Sequence, residues 1–143
     1  GVVFNAAYIW SKVNLGDKAQ GQSENRPMMG QSPYIINSGL YYQNDSLGLQ
    51  VNLLYNVIGQ RVVIVGSYGT PDVYEMPRNT LDLTISKRFW KRLDVKLGIQ
   101  DILNQPYQLV QDADENGKVT RNDQQMQSYK RGSYYTLGVG LRF

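Results

Sequence analysis

The chain closes with Tyr134-Tyr-Thr-Leu-Gly-Val-Gly-Leu-Arg-Phe143, where bulky apolar residues alternate with small or polar ones. Successive side chains of a β-strand point to opposite faces of the sheet. Leu137, Val139, Leu141 and Phe143 would therefore share one apolar face. The opposite face would carry small or polar residues: Thr136, Gly138, Gly140 and Arg142. The stretch thus predicts a β-strand whose two faces suit different surroundings.

The same alternation occurs in six segments of the 143-residue chain. They cover about residues 2 to 13, 34 to 44, 48 to 65, 78 to 88, 92 to 105 and 131 to 143. In the fourth segment Leu81, Leu83 and Ile85 alternate with polar residues. This period of two predicts an all-β, antiparallel fold. A soluble β-sandwich, which buries one face of each sheet and solvates the other, shows the same period and stays an alternative.

The connections between these segments are alternately long and short. Two are tight turns, Asn44-Asp-Ser-Leu47 and Arg88-Phe-Trp-Lys-Arg92. Three are long, polar and rich in Gly, Pro, Asn and Gln, at about 14 to 33, 66 to 77 and 106 to 130. Outer-membrane β-barrels have short periplasmic turns and long external loops. The alternation therefore favours a transmembrane β-barrel with the two turns on its periplasmic side.

The second turn places aromatic and basic side chains side by side. Its members and neighbours are Lys87, Arg88, Phe89, Trp90, Lys91 and Arg92. Aromatic rings and snorkelling cations are typical of the level at which a membrane protein meets the lipid headgroups. Two aromatic rings packed on a soluble core are the alternative interpretation.

Hydropathy is compatible with strands that cross a membrane. Mean hydropathy is −0.44, and no run approaches the roughly 18 apolar residues of a spanning helix. A barrel strand needs only about 9 to 11 residues, half of which face the lumen. Six strands are too few to close even a small barrel of about eight. We therefore expect a part of a larger wall, because open strand edges in lipid would carry unpaired backbone groups.

Composition argues against several classes of function. The chain has no Cys, so a disulfide scaffold or a thiolate metal site is excluded within it. It has no His, which is the usual general base and the commonest transition-metal ligand. No set of nucleophile, base and orienting group is seen, so we do not expect an enzyme. The net charge of +3 is spread without a basic stripe, so we do not expect nucleic acid as a partner.

Polar residues on one face of the predicted strands are candidates for lining a lumen. They are Asn5, Asn52, Asn56, Asp82, Asp94, Lys96 and Gln100. We expect most of them to be structural, because buried or lumen-facing polar groups must be satisfied by water or by protein. Ligand binding on such scaffolds concentrates on the loops. The sequence assigns no catalytic or cofactor-binding residue.

One loop matches the spacing of oxygen ligands in a calcium loop. Asp112, Asp114 and Asn116 fill positions 1, 3 and 5, Gly117 fills the turn, and Asp123 fills position 12. Asp at position 12 replaces the usual bidentate Glu, and no helical pattern flanks the loop. Asp, Asn and Gly are also common in ordinary solvated loops. Calcium in the 112–123 loop and a metal-free loop are both open interpretations.

Asp101-Ile-Leu-Asn-Gln-Pro-Tyr107, followed by a polar loop and the final strand, resembles the C-terminal end of TonB-dependent outer-membrane receptors. In that family the penultimate strand ends in an Asn-Leu-Phe-Asn-like motif, and here Ile102 and Leu103 stand where Leu and Phe are usual. Pro77-Arg-Asn-Thr-Leu-Asp-Leu83 and the last loop, rich in Asp and Asn, are similar to receptors of Bacteroidota. The resemblance covers essentially all of the chain. It implies that residues 1–143 are strands 17 to 22 of a transmembrane antiparallel barrel of about 22 strands.

The resemblance also implies a function for the complete protein. It would bind a scarce nutrient, whether siderophore, vitamin, glycan or peptide, and import it across the outer membrane. Energy would come from the TonB complex through a plug domain upstream of Gly1. Implied partners are outer-membrane lipid, the TonB complex, a surface lipoprotein and the small-molecule or oligomeric nutrient. A pore without energy coupling, a small structural or adhesion barrel and a soluble ligand-binding β-protein remain alternatives.

Overall fold

The computed structural model describes residues 1–16, 22, 25–90, 92–114 and 118–142. Of these residues 60% lie in β-strands and none lies in an α-helix. Every strand pair is antiparallel. The described residues therefore include no helix that is long and apolar enough to cross a membrane. The predicted all-β, antiparallel class is confirmed.

The strands are named here in chain order. They are β1 Val2–Tyr8, β2 Val13–Asn14, β3 Asn25–Arg26, β4 Tyr34–Asn44, β5 Leu49–Ile58, β6 Arg61–Ile64, β7 Val73–Glu75, β8 Arg78–Phe89, β9 Leu93–Gln100, β10 Tyr107–Gln111, β11 Gln124–Tyr129 and β12 Tyr134–Leu141. The longest of them belong to one sheet of six strands, in the order β1-β4-β5-β8-β9-β12. These are the six segments that the alternating pattern predicts, and each pairs with the next along the chain. Among the described residues the sheet stays open, with β1 and β12 as its edges.

Three predicted strands end earlier than the pattern suggests, and the fifth, expected to reach residue 105, ends at Gln100. The first was expected to reach residue 13 but ends at Tyr8, and the Ile9 N–H then donates to the Pro33 carbonyl at 2.8 Å. The third was expected to run without a break from 48 to 65, yet it leaves the sheet after Ile58 and resumes as β6. Gly59 allows this departure, because a Cβ there would lie 2.8 Å from the Tyr34 ring.

The long connections build a second, smaller sheet at one end of the first. Its four strands follow the order β11-β10-β7-β6, and a two-stranded pair, β2-β3, lies in the connection between β1 and β4. The prediction of a polar loop over 106–130 is therefore wrong for β10 and β11, which form a hairpin. The buried apolar residues of the described chain all lie in or beside this second sheet: Val62, Val73, Met76 and Val110.

Candidate functional site

The six-stranded sheet has one almost wholly apolar face. Cross-strand partners lie on the same face, and one row running through all six strands is Val2, Leu40, Leu53, Leu83, Ile99 and Tyr135. The next row down is Tyr42, Val51, Ile85, Leu97 and Leu137. Lys87 is the only charged side chain on this face within the paired strands. We call it the apolar face.

No second layer covers the apolar face among the described residues. Large side chains on it stay open to the surroundings: Phe4 is 68% exposed, Leu97 50% and Leu137 69%. None of the residues that form the buried apolar core belongs to the six-stranded sheet. Monomeric soluble proteins rarely expose a contiguous apolar patch of more than a few hundred Å². The exposure therefore marks this face as a surface that contacts something apolar.

The opposite face, called the polar face, carries amides, hydroxyls and charges. One row is Asn5, Asn37, Asn56 and Thr80, and the Asn56 amide donates to the Asn37 side-chain oxygen. All seven residues that the sequence proposes as lumen candidates share this face: Asn5, Asn52, Asn56, Asp82, Asp94, Lys96 and Gln100. The prediction that they share one face is confirmed. The two faces therefore differ in chemistry, although the polar face also carries a few apolar side chains, among them Val3 and Leu54.

An ion-pair cluster ties three strands together on the polar face near the turns. Asp94 of β9 accepts from Arg88 Nε of β8 at 2.7 Å and lies 3.0 Å from Arg142 Nε, just after β12. All three side chains are at least one-third exposed, so solvent screens both ion pairs and they contribute little to the free energy of unfolding. The cluster mainly fixes how the ends of these strands align.

The turn between β8 and β9 presents exposed aromatic rings. Trp90 is 84% exposed and its ring centroid lies 5.9 Å from that of Phe89. Lys87 Nζ lies 5.9 Å from the Phe89 ring centroid and donates to the Leu47 carbonyl of the neighbouring turn. Lys91 lies outside the described residues. The two short turns thus meet at one end of the sheet, where aromatic and cationic side chains are combined.

Asp101 links the ends of three strands at the opposite end of the sheet. Asp101 is 8% exposed and has a positive φ of 53°. Its N–H donates to Asp82 Oδ1 at 2.8 Å, and its Oδ2 lies 3.3 Å from Arg78 Nη1, both on β8. Ser133 Oγ donates to the Asp101 carbonyl at 2.8 Å, just before β12 begins. Asp101 therefore ends β9 and holds β8 and β12 beside it.

A cavity of about 510 Å³ opens between the long connections. It is called the loop cavity, and its lining includes Tyr8, Trp10, Lys12, Arg26, Arg61 and Tyr74. Arg61 is neutralised locally, because its Nη2 lies 2.6 Å from Glu75 Oε2. Burial raises the pKa of the Tyr74 phenol, as do the nearby carboxylates of Asp72 and Asp112, while Arg26 lowers it. Tyr74 therefore stays protonated at neutral pH and can donate a hydrogen bond.

The calcium loop of the sequence prediction is only partly described. Asp112 and Asp114 follow β10, while Asn116 and the turn Gly117 lie outside the described residues. Asp123 accepts from the Thr120 N–H in a local turn. Within the part of the chain that the structure describes, no three acidic side chains gather into a group that could hold a metal ion. The calcium interpretation stays a prediction.

Sequence reasoning missed the loop cavity. Its residues come from five separate segments, around β1, β3, β6 and β7 and at Val119, and no local spacing links them. Comparisons with models of protein families, with curated proteins and with solved structures found no match. The functional proposal therefore rests on the two sheet faces and on the sequence resemblance.

Proposed function

We propose that this chain is the C-terminal part of an outer-membrane β-barrel wall, and that the complete protein is a TonB-dependent transporter that imports a nutrient. The observation that carries the wall assignment is the single-layer, six-stranded sheet with one uncovered apolar face. The assignment to TonB-dependent import rests on the sequence resemblance around Asp101 and in the final strand.

The apolar face is costly in water and favourable in lipid. Burying a Val, Leu or Ile side chain contributes about 1.5–3 kcal/mol relative to leaving it exposed. More than a dozen such side chains lie on this face in β5, β8, β9 and β12. Leaving them uncovered would forgo on the order of tens of kcal/mol, even though neighbours shield part of each side chain. A bilayer core covers the whole face without any second protein layer.

Strand length fits a membrane crossing. Strand β5 has ten residues, which reach about 33 Å at roughly 3.3 Å per residue. Tilted by about 45°, a strand of this length spans about 23 Å of bilayer. That is close to the apolar band of about 25 Å on outer-membrane barrels. The polar ladder of Asn and Thr on the other face would then line a watery interior.

The strands are also staggered along the sheet, as a barrel wall requires. Tyr8 and Tyr134 stand at the loop ends of β1 and β12. Val2, six residues from Tyr8, shares a row with Tyr135, one residue from Tyr134. The end of the strand next to the long connections therefore shifts by five residues between β1 and β12, across five strand pairings. Closing a barrel needs such a stagger, because its strands tilt by about 35–45°.

The two ends of the sheet support one orientation. The short turns, with Trp90 and Phe89 exposed, are typical of the periplasmic side of a barrel. The long connections, which fold into the second sheet around Val62 and Val110, are typical of external loops. In lipid the edge strands β1 and β12 need partners for their backbone groups. Further strands of the same barrel would supply them, and a plug domain would face the polar side.

The test is to isolate the intact protein that carries this sequence from its native envelope. We expect it in the outer membrane, resistant to carbonate washing and soluble only with detergent. We also expect a polypeptide several times larger than the 16.3 kDa of these residues, and no steady conductance in a planar bilayer, because a plug closes the barrel. Recovery in the aqueous phase would overturn the wall assignment. A membrane chain near 16 kDa, or a constantly open pore, would overturn the transporter assignment alone.

A further inference from the structure

Two of the cations that line the loop cavity form no ion pair with a described carboxylate, although Asp72 and Asp112 lie near Tyr74. Among the described residues, three cations line the cavity, Lys12, Arg26 and Arg61, and no acidic side chain does. Arg61 is paired with Glu75. No described carboxylate forms an ion pair with Lys12 or Arg26. Arg26 Nε is buried and has no hydrogen-bond partner among the described residues. Arg26 as a whole is only part-buried and lines the cavity, so an anionic ligand there would stabilise its incompletely paired guanidinium from the open side.

The same cavity offers aromatic surfaces beside these cations. Trp10 is 82% exposed and Tyr8 75% exposed, and both line the opening together with Tyr74. Aromatic rings contribute large contact areas and favour offset or edge-on stacking with other rings. Tyr74 adds a phenol that stays protonated, since burial is the largest cause of its raised pKa. The volume of about 510 Å³ lies in the range of small-molecule sites, about 300–1,000 Å³.

We propose that the loop cavity binds a small aromatic anion, whose charged group meets Arg26 and Lys12 and whose ring packs against Trp10, Tyr8 and Tyr74. Naming this cavity as the entry site for an imported nutrient rests on the proposed function. The binding itself depends only on the cations and rings of the cavity. Arg26 supplies the partly buried contact and Lys12 the exposed one, while Trp10 and Tyr8, both at least 75% exposed, receive the ring at the opening.

The test uses indole compounds that share one ring system and differ in charge. Indole-3-acetate is the anion, indole-3-acetamide the neutral control and tryptamine the cation, while cyclohexaneacetate keeps the charge without the aromatic ring. Binding of each to the intact protein is measured by isothermal titration in nanodiscs of zwitterionic lipid. We expect indole-3-acetate to bind at least about tenfold more tightly than the other three, as expected for one charge-assisted contact or one ring stack.

Substitutions then locate the site. Arg26→Gln and Lys12→Gln should each weaken indole-3-acetate by about tenfold, and Trp10→Leu should reduce the preference over cyclohexaneacetate. Lys130→Gln removes one exposed positive charge outside the cavity lining and should leave the affinity unchanged. Lys12 and Trp10 are exposed, so their variants report binding even if Arg26→Gln disturbs folding.

The outcomes separate this inference from the proposed function. Equal binding of tryptamine and indole-3-acetate, or equal affinities for the Lys12→Gln and Lys130→Gln proteins, would overturn the anion site. That result would leave the membrane location of the protein, measured independently by fractionation, as it stands. Selective anion binding by a protein that needs no detergent would support the site and overturn the membrane wall.

Discussion

A single arginine on the apolar face distinguishes a membrane wall from a soluble sheet. Leu137 is the fourth of the eight residues of β12 and is 69% exposed. If this face contacted water, Leu137→Arg would change the free energy of unfolding by no more than about 0.5 kcal/mol, as at most surface positions. If it contacts the middle of a bilayer, the same change costs about 2–4 kcal/mol. The folded-to-unfolded ratio would then fall by about thirty-fold to almost a thousand-fold.

Thr136→Arg is the matched control, because Thr136 is one residue away on the polar face of the same strand. We expect it to cost less than about 1 kcal/mol, since a lumen accommodates a charge. Both variants of the intact protein are unfolded with urea from lipid vesicles, and the folded fraction is read from heat-modifiable gel mobility. Costs for the two variants that agree within about 0.5 kcal/mol would refute the assignment of the apolar face to lipid.

Three further predictions concern the loop end of the sheet. Asp101→Ala should lower the free energy of unfolding by about 2–4 kcal/mol, because it leaves Arg78 without its ion-pair partner and puts Ala at a positive φ. Asp101→Asn should cost less, because Asn tolerates that φ. Equal costs for the two variants in a urea titration would contradict the role of φ. The raised pKa of Tyr74 contributes stability that is present below pH 10 and lost as pH rises through the folded-state pKa. The Tyr74→Phe protein should therefore lose less stability above pH 10 than the native protein. Free energies of unfolding that fall in parallel with pH for the two proteins would contradict this. Gly66→Ala should cost about 1–3 kcal/mol, because its Cβ would overlap the Thr70 carbonyl oxygen. A Cβ at Gly138 would meet no atom nearer than Lys96 Cβ at 3.7 Å, so Gly138→Ala should be nearly neutral in the same titration.

The six main strands could be predicted because their pattern is local. Leu81, Leu83 and Ile85 repeat with a period of two, and this period alone determines which side chains share a face. The same reasoning placed the seven polar candidates on one face. The alternating pattern predicts the ends of the strands less well. Ile9 and Trp10 continue the apolar pattern after β1, yet Pro33, which accepts the Ile9 hydrogen bond as the next partner in the ladder, has no N–H to return it, and the strand ends there.

The second sheet and the loop cavity could not be predicted in this way. Strand β11 is rich in Gln, so it has no apolar alternation. It forms because it pairs with β10, which pairs with β7 along its other edge. Arg26 and Tyr74 meet in the cavity although 48 positions separate them in the chain. Contacts of such sequence separation depend on how the long connections fold together, and no window of residues carries that information.

The central claim is that the apolar face of the six-stranded sheet lies in a membrane, and labelling along β8 tests it most directly. The 143 residues contain no Cys. With any Cys elsewhere in the intact protein replaced by Ser, single Cys substitutions from residue 81 to residue 86 introduce unique sites for an environment-sensitive fluorophore. The intact protein is reconstituted in vesicles, and quenching by lipids with nitroxide-bearing acyl chains is compared with quenching by aqueous iodide. We predict strong lipid quenching at 81, 83 and 85, and iodide quenching at 82, 84 and 86. Iodide quenching at all six positions, or no alternation between neighbours, would contradict the claim.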